Sequence, residues 1–575
     1  MLRPVLFTTA VLGLVLAAAA RSGAHTADSE DSAQAPIPEA VAFTSRHSGT
    51  FNGRVLSYTA RAGETYLRDD DGKPTATLFT FDYLAADTDT EANRPVTFVW
   101  NGGPGSASLW LHMGSLGPKR VVVPSDATHP GPPPYPIIDA PETVLDVTDL
   151  VFFDPVGTGY SRALGEADGP DFWGLVEDAE TTARFIRQWL TEHGRWNSPR
   201  FLLGESFGTT RAAAVAELLE DDFMIGLNGL IFVSQALNYA GSTPYIRDNL
   251  ISHITYFPTM AATALYHGKV DAGTMTTEQW VQAAREFATA ELLQALWRGN
   301  TLDAATRETV RDGIVRFTGL SAEYVDRANL RVDGSRFAKE LLREEGKAIG
   351  RNDARYVMDP VDDLTATTNS DASSNAIGSA YKSALLTYLH DDLGVKLDRT
   401  YLAPSDSRLG DEWNWNPKGR GKNWEPHWVD TTPALVKALE VNPQLNVLVA
   451  SGYYDLITPF FDAEYTLNRY NIPAGRIQYT YYQGGHMMYL NEDARLAFLT
   501  DVRTFIEAQL KQGAAPAASH SQAHPPAAAT EEAPAATEEA PAATEEAPAA
   551  TEKEPAAIEK RKTAPSTAKT DTATR

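Results

Sequence analysis

The chain has 575 residues, no cysteine and a formal net charge of −25. With no basic surplus to exchange for counterions, nucleic acid and anionic lipid are excluded as expected partners, and the missing cysteine excludes disulfides, thiolate metal sites and a lipid-modified amino-terminal cysteine. The length allows a large core, in one big domain with an insertion or in two domains.

Residues 1–24 read as a secretory signal peptide. Arg3 precedes an apolar run from Val5 to Ala20 that ends in small residues, and the run is shorter than the roughly 20 residues an uncleaved membrane anchor needs. Export without disulfides suits a bacterial envelope, periplasmic or secreted, with no membrane insertion once the signal is cleaved. Residues 25–42 are polar and aperiodic, a flexible lead-in. The stretches 54–67 and 76–84 carry aromatic and β-branched residues on either side of the turn Asp69-Asp70-Asp71-Gly72-Lys73-Pro74, which predicts an antiparallel hairpin.

Residues 96–100 and 150–153 are continuous apolar runs, as strands buried on both faces require. Each ends in a loop rich in Gly and Pro, at 101–105 and 154–159. Ala179, Ala183, Ile186 and Leu190 recur at helical spacing and mark 177–193 as an amphipathic helix. Short apolar runs at 201–203 and 230–233 enclose an Ala-rich helical stretch. This alternation predicts an α/β fold with a mostly parallel central sheet flanked by helices.

From 241 to 430 helical patterns replace the alternation, for example at 278–298 and 304–317, so a largely helical cap insertion over one edge of the sheet is expected. Its end carries Trp413, Trp415, Trp424 and Trp428, which either line a substrate pocket or pack between insertion and core. Strands at 445–450 and 477–482 and helices at 460–470 and 491–510 restore the pattern, giving a core of 43–240 and 431–512. In the remaining 513–575, Thr-Glu-Glu-Ala-Pro-Ala-Ala starts at Thr530, Thr537 and Thr544. A proline in every repeat forbids a coiled coil and leaves a disordered spacer.

The stretch Gly204-Glu205-Ser206-Phe207-Gly208 stands between a predicted strand and a predicted helix. In that context it is a candidate nucleophile elbow, whose glycines permit a turn tight enough to lift the Ser206 hydroxyl into the open. A serine needs a base oriented by a carboxylate, and in α/β-hydrolases these follow it in the order Asp or Glu, then His. Asp455, just past the strand at 445–450, either fills that role or caps the helix after Pro459. His486, in Gln483-Gly484-Gly485-His486-Met487, is either the base or an ordinary loop histidine. The Phe207 N–H and one from the loop Asn101-Gly102-Gly103-Pro104-Gly105 would complete an oxyanion hole. No metal-ligand spacing occurs, and no cofactor is expected.

These motifs, in this order, resemble those of the serine carboxypeptidases, and the resemblance covers roughly 43–512. The shared segments are the Asn-Gly-Gly-Pro-Gly loop, the Gly-Glu-Ser elbow, the Asp455 loop and Gly485-His486-Met487. The family's Asp-Gln-Pro-Val-Gly segment is matched with one residue missing by Asp154-Pro155-Val156-Gly157. The resemblance implies an α/β-hydrolase fold with Ser206 as nucleophile, His486 as base and Asp455 as its orienting partner. It implies oxyanion donors on Gly103 and Phe207, and binding of the substrate's free α-carboxylate by Asn101, Gly102 and Glu205. Glu205 must be protonated to face a carboxylate, so acidic pH should favour cleavage of peptides with a free carboxy terminus. Two positions depart from the family: Ser115 stands where a second glutamate is usual, and Ser106 where a cysteine is. Esterases, acyltransferases and lyases share the triad, and a non-catalytic envelope-binding protein is the alternative of another class.

Overall fold

The computed structural model describes residues 37–86, 93–243, 249–403, 405–422 and 428–513. The expected signal peptide, most of the lead-in, Trp424 and the repeats from Thr530 lie outside the described residues.

The chain folds around a ten-stranded sheet. Its strands are β1 (Ala42–Phe51), β2 (Arg54–Arg68), β3 (Pro74–Ala85), β4 (Val96–Trp100), β5 (Asp149–Asp154), β6 (Arg200–Glu205), β7 (Gly229–Val233), β8 (Asn446–Gly452) and β9 (Ile477–Tyr482). Across the sheet they run β1-β2-β3-β5-β4-β6-β7-β8-β9, with the two-residue strand Arg162–Ala163 paired to β3 off this path. The first three and their junction with β5 are antiparallel; every later pairing is parallel.

The expected hairpin is thus extended by one edge strand. Residues of β1 alternate between exposed and half-buried, and its Thr, Ser, Arg and His side chains supply none of the apolar alternation that signals a strand. The ladder to β2, from Ala42 opposite Gly63 to Phe51 opposite Arg54, defines it.

The central strands are apolar throughout because side chains two apart serve opposite faces. Val99, Leu150, Phe152, Phe201 and Leu203 enter one core, while Phe98, Trp100, Val151, Phe153 and Leu202 enter the other. All ten are at most 1% exposed, each such side chain contributing about 1.5–3 kcal/mol by its removal from water. The second face is covered by α1 (Leu175–Glu192) and α2 (Phe207–Glu217). The first carries α3 (Ala372–Asp391), and, past α4 (Thr432–Val441) and α5 (Phe460–Asn468) in the chain, the final helix α6 (Glu492–Gly513).

Residues 241–430 divide between two cores. Helices from Leu250–Thr255 to Gly334–Glu340 build a cluster around Phe257, Trp280, Phe287 and Phe317, to which the loop after β8 adds Tyr453, Tyr454 and Leu456. Helix α3 instead buries Tyr381, Leu385 and Tyr388 in the main core against the sheet. The stretch 278–298 forms Thr277–Phe287 and Leu293–Arg298, joined by a wide turn at Ala288–Leu292.

Candidate active site

The carboxyl ends of β4, β6, β8 and β9 carry Asn101, Glu205 with Ser206, Asp455 and His486 respectively. Parallel strands gather these loops along one edge of the sheet, where open α/β sheets hold their ligands.

Ser206 occupies the turn between β6 and α2 with φ 60° and ψ −129°, a region that non-glycine residues seldom enter. Backbone bonds hold it there: its N–H donates to the Val233 carbonyl at 2.9 Å, and its own carbonyl accepts from Thr209 N at 2.8 Å. The glycine loop lies directly against this turn. A Cβ on Gly102 would sit 2.5 Å from Phe207 N and 2.6 Å from the Glu205 carbonyl oxygen, so the approach is open to glycine alone. Gly103 follows at φ 107°. The Phe207 N–H belongs to the first turn of α2, where no intrahelical acceptor exists.

Asp455 does not cap the helix that begins at Phe460, whose N-cap is Pro459 without a side-chain bond; its carboxylate closes its own loop and meets His486. Oδ1 accepts from Ile457 N at 2.8 Å and Thr458 N at 3.0 Å, which closes its own loop. Oδ2 accepts from His486 Nδ1 at 2.8 Å and from the Thr458 hydroxyl at 2.8 Å. This bond assigns the proton to Nδ1 and leaves Nε2 as the acceptor. Burial works against charge on the His486 ring, but Asp455, with Glu205 and Asp371 farther off, outweighs it and raises the histidine pKa. Two serine and threonine residues without any sequence signal complete the support. The Ser234 hydroxyl donates to the His486 carbonyl at 2.7 Å, and the Thr458 hydroxyl lies 3.1 Å from His486 Nδ1.

Glu205 is 4% exposed, yet both its oxygens are satisfied. Asn101 Nδ2 donates to Oε1 at 2.8 Å, and the Tyr489 hydroxyl donates to Oε2 at 2.7 Å. Burial pushes its pKa up to about 7, while His486, Tyr489 and Asn101 pull the other way. Asn101 is itself held at both ends: Oδ1 accepts from Leu111 N at 3.1 Å, and its carbonyl accepts from Arg211 Nη1 at 2.9 Å. Arg211 is fully buried and paired with Asp178 of α1 at 2.6 Å. Ser115 turns elsewhere, its hydroxyl donating to the Leu111 carbonyl at 3.3 Å.

Asp154, from the matched Asp-Pro-Val-Gly segment, accepts from Ser108 N at 2.9 Å, where the chain leaves the glycine loop for the short helix Leu109–Leu111. Trp413 and Trp415 pack edge-on against the Phe207 ring, at centroid distances of 5.1 and 6.1 Å. Of the two uses open to this aromatic group, packing against the core is the one these contacts show. Beside Gly103 a cavity of about 470 Å³ is walled by Pro104, Leu109, Trp110 and Leu402.

No curated protein matches the chain. Among solved structures it is similar to the prohormone-processing carboxypeptidase Kex1 of Saccharomyces cerevisiae, at 15% identity over 79% of this chain and 92% of that one, with a TM-score of 0.48. It is also similar to a proline iminopeptidase of Mycobacterium smegmatis, at 14% identity over 79% and 99% of the two chains and a TM-score of 0.34. A family model described as serine carboxypeptidase matches residues 65–504. That match runs from β2 into α6 and takes in every site residue above, and on it the chain belongs to the serine carboxypeptidase family.

Proposed function

We propose that the protein removes carboxy-terminal residues from peptides through an acyl-enzyme on Ser206. The Ser206 hydroxyl oxygen attacks the carbonyl of the last peptide bond as His486 Nε2 takes its proton. Asp455 holds the opposite ring nitrogen and stabilises the imidazolium that forms. The oxyanion is received by the N–H groups of Gly103 and Phe207. His486 returns its proton to the departing amine, the terminal amino acid leaves, and a water activated by the same histidine releases the acyl group.

The observation that carries this reading is the buried Asn101–Glu205 pair at 2.8 Å, placed one residue before the candidate nucleophile. An amide donor beside a carboxyl that is protonated below about pH 7 can bind a chain-terminal carboxylate. The cavity beside Gly103 suits an apolar side chain next to the scissile bond. Export, the remaining part of the proposal, rests on residues 1–24 and is tested by sequencing the amino terminus of the processed protein.

The sign of the pH dependence follows from the two groups. Peptide cleavage needs Glu205 protonated and His486 neutral at once, so its alkaline limb falls as pH rises through about 7 and its acid limb is set by the raised histidine. Ester hydrolysis needs only neutral His486 and continues to higher pH. Release of free amino acids from blocked dipeptides at acidic pH tests the proposal; hydrolysis of esters alone would identify an esterase or acyltransferase instead. Glu205→Gln supplies a neutral donor at every pH, so its peptide kcat/KM is expected to lose the alkaline decline. A profile identical to the parent's would remove Glu205 from carboxylate recognition.

A further inference from the structure

Glu205 needs a second donor to hold its carboxyl plane, and the structure supplies one that no sequence signal indicated. Tyr489 follows the His486 loop and is 3% exposed, with its hydroxyl 2.7 Å from Glu205 Oε2. Room for its ring comes from Gly114: a Cβ there would stand 2.6 Å from Tyr489 Cε2 and 2.8 Å from the Tyr381 hydroxyl. Ser115, the neighbour of Gly114, spends its hydroxyl on Leu111 and leaves Oε2 to the tyrosine.

We propose that Tyr489 is a positioning residue for the terminal-carboxylate site, acting through Glu205. Its hydroxyl and the Asn101 amide clamp the two carboxyl oxygens from opposite sides, and the gap at Gly114 makes this geometry possible. The inference rests on the reading of Asn101 and Glu205 as the carboxylate site.

A second carboxyl group at Oε2 would share a proton with Glu205 and raise its pKa. A phenol does the reverse, because an O–H donated to a carboxylate stabilises the anion. The other groups that face Glu205 are His486, which also favours its anion, and Asp455, which opposes it. Tyr381 of α3 lies near enough that Glu205 helps to raise its pKa. Tyr489 therefore holds the alkaline limit of peptide cleavage lower than burial alone would set it.

The experiment follows the pH profile of peptide against ester kcat/KM, taken as a ratio on the same preparation so that folding and triad chemistry cancel. In Tyr489→Phe the alkaline decline of this ratio is expected to move up by about one pH unit, the loss of one hydrogen bond to a charged group. Gly114→Ala, which keeps the phenol but pushes its ring aside, should shift the decline in the same direction. A decline unmoved in Tyr489→Phe but abolished in Glu205→Gln overturns the role of Tyr489 and leaves the carboxylate reading standing. A decline that survives Glu205→Gln overturns both.

Discussion

Ser206→Ala is expected to lower kcat/KM toward peptides by about 10⁶-fold and to abolish covalent labelling by a fluorophosphonate. The bonds that hold residue 206 in its turn run from its backbone to Val233 and Thr209, and alanine keeps them. Both serine and alanine bear the same strain at φ 60°, so the variant should melt within a few degrees of the parent. Loss of activity with an unchanged melt then assigns the hydroxyl to chemistry. Persistent labelling would place the nucleophile elsewhere, and no labelling of the parent would favour a non-catalytic binding protein.

Asp455→Asn should reduce kcat/KM by about 10⁴-fold. With the amide oxygen in the place of Oδ1, the bonds from Ile457 N and Thr458 N survive and the loop keeps its shape. The amide nitrogen then faces His486 Nδ1, and since it can only donate, it drives the ring proton to Nε2. A histidine protonated at Nε2 cannot accept from serine. The same change removes the charge that raises the His486 pKa, so the acid limb of the remaining ester activity should move to lower pH. Stopped-assay kinetics across about pH 5 to 9 read both effects. A loss under tenfold would mean that another group orients the histidine, with Thr458 first in line at 3.1 Å.

Much of the site was legible before folding because its signals are local. An apolar run that breaks at a glycine-bearing loop describes a buried strand that ends at a ligand edge, and the chain shows that pattern at Asn101, Ser206 and Asp455, while the strand before His486 is marked by its aromatic residues instead. Strand β1 left no such mark, since its polar residues pair through backbone bonds that any side chain permits. The insertion read as helical from its periodicity, but periodicity does not say which core a helix joins. Helix α3 buries its aromatics against the sheet, while its predecessors make a core of their own.

The sequence by itself determined the α/β alternation, the elbow at Ser206 and the candidates Asp455 and His486, since each depends on residues within one turn or one strand. Only the tertiary structure decided what Glu205 touches. Its partners Asn101 and Tyr489 lie 104 and 284 residues away in the chain, and the Arg211 contact that holds Asn101 spans 110. No periodicity relates positions so far apart; the parallel sheet does, by bringing the loops of β4, β6 and β9 to one edge. Ser115, one position from Gly114, looked from sequence like the residue to watch beside Glu205. In the folded chain its hydroxyl is spent locally, and the glycine next to it opens the space through which a tyrosine from the far end of the chain reaches the carboxyl.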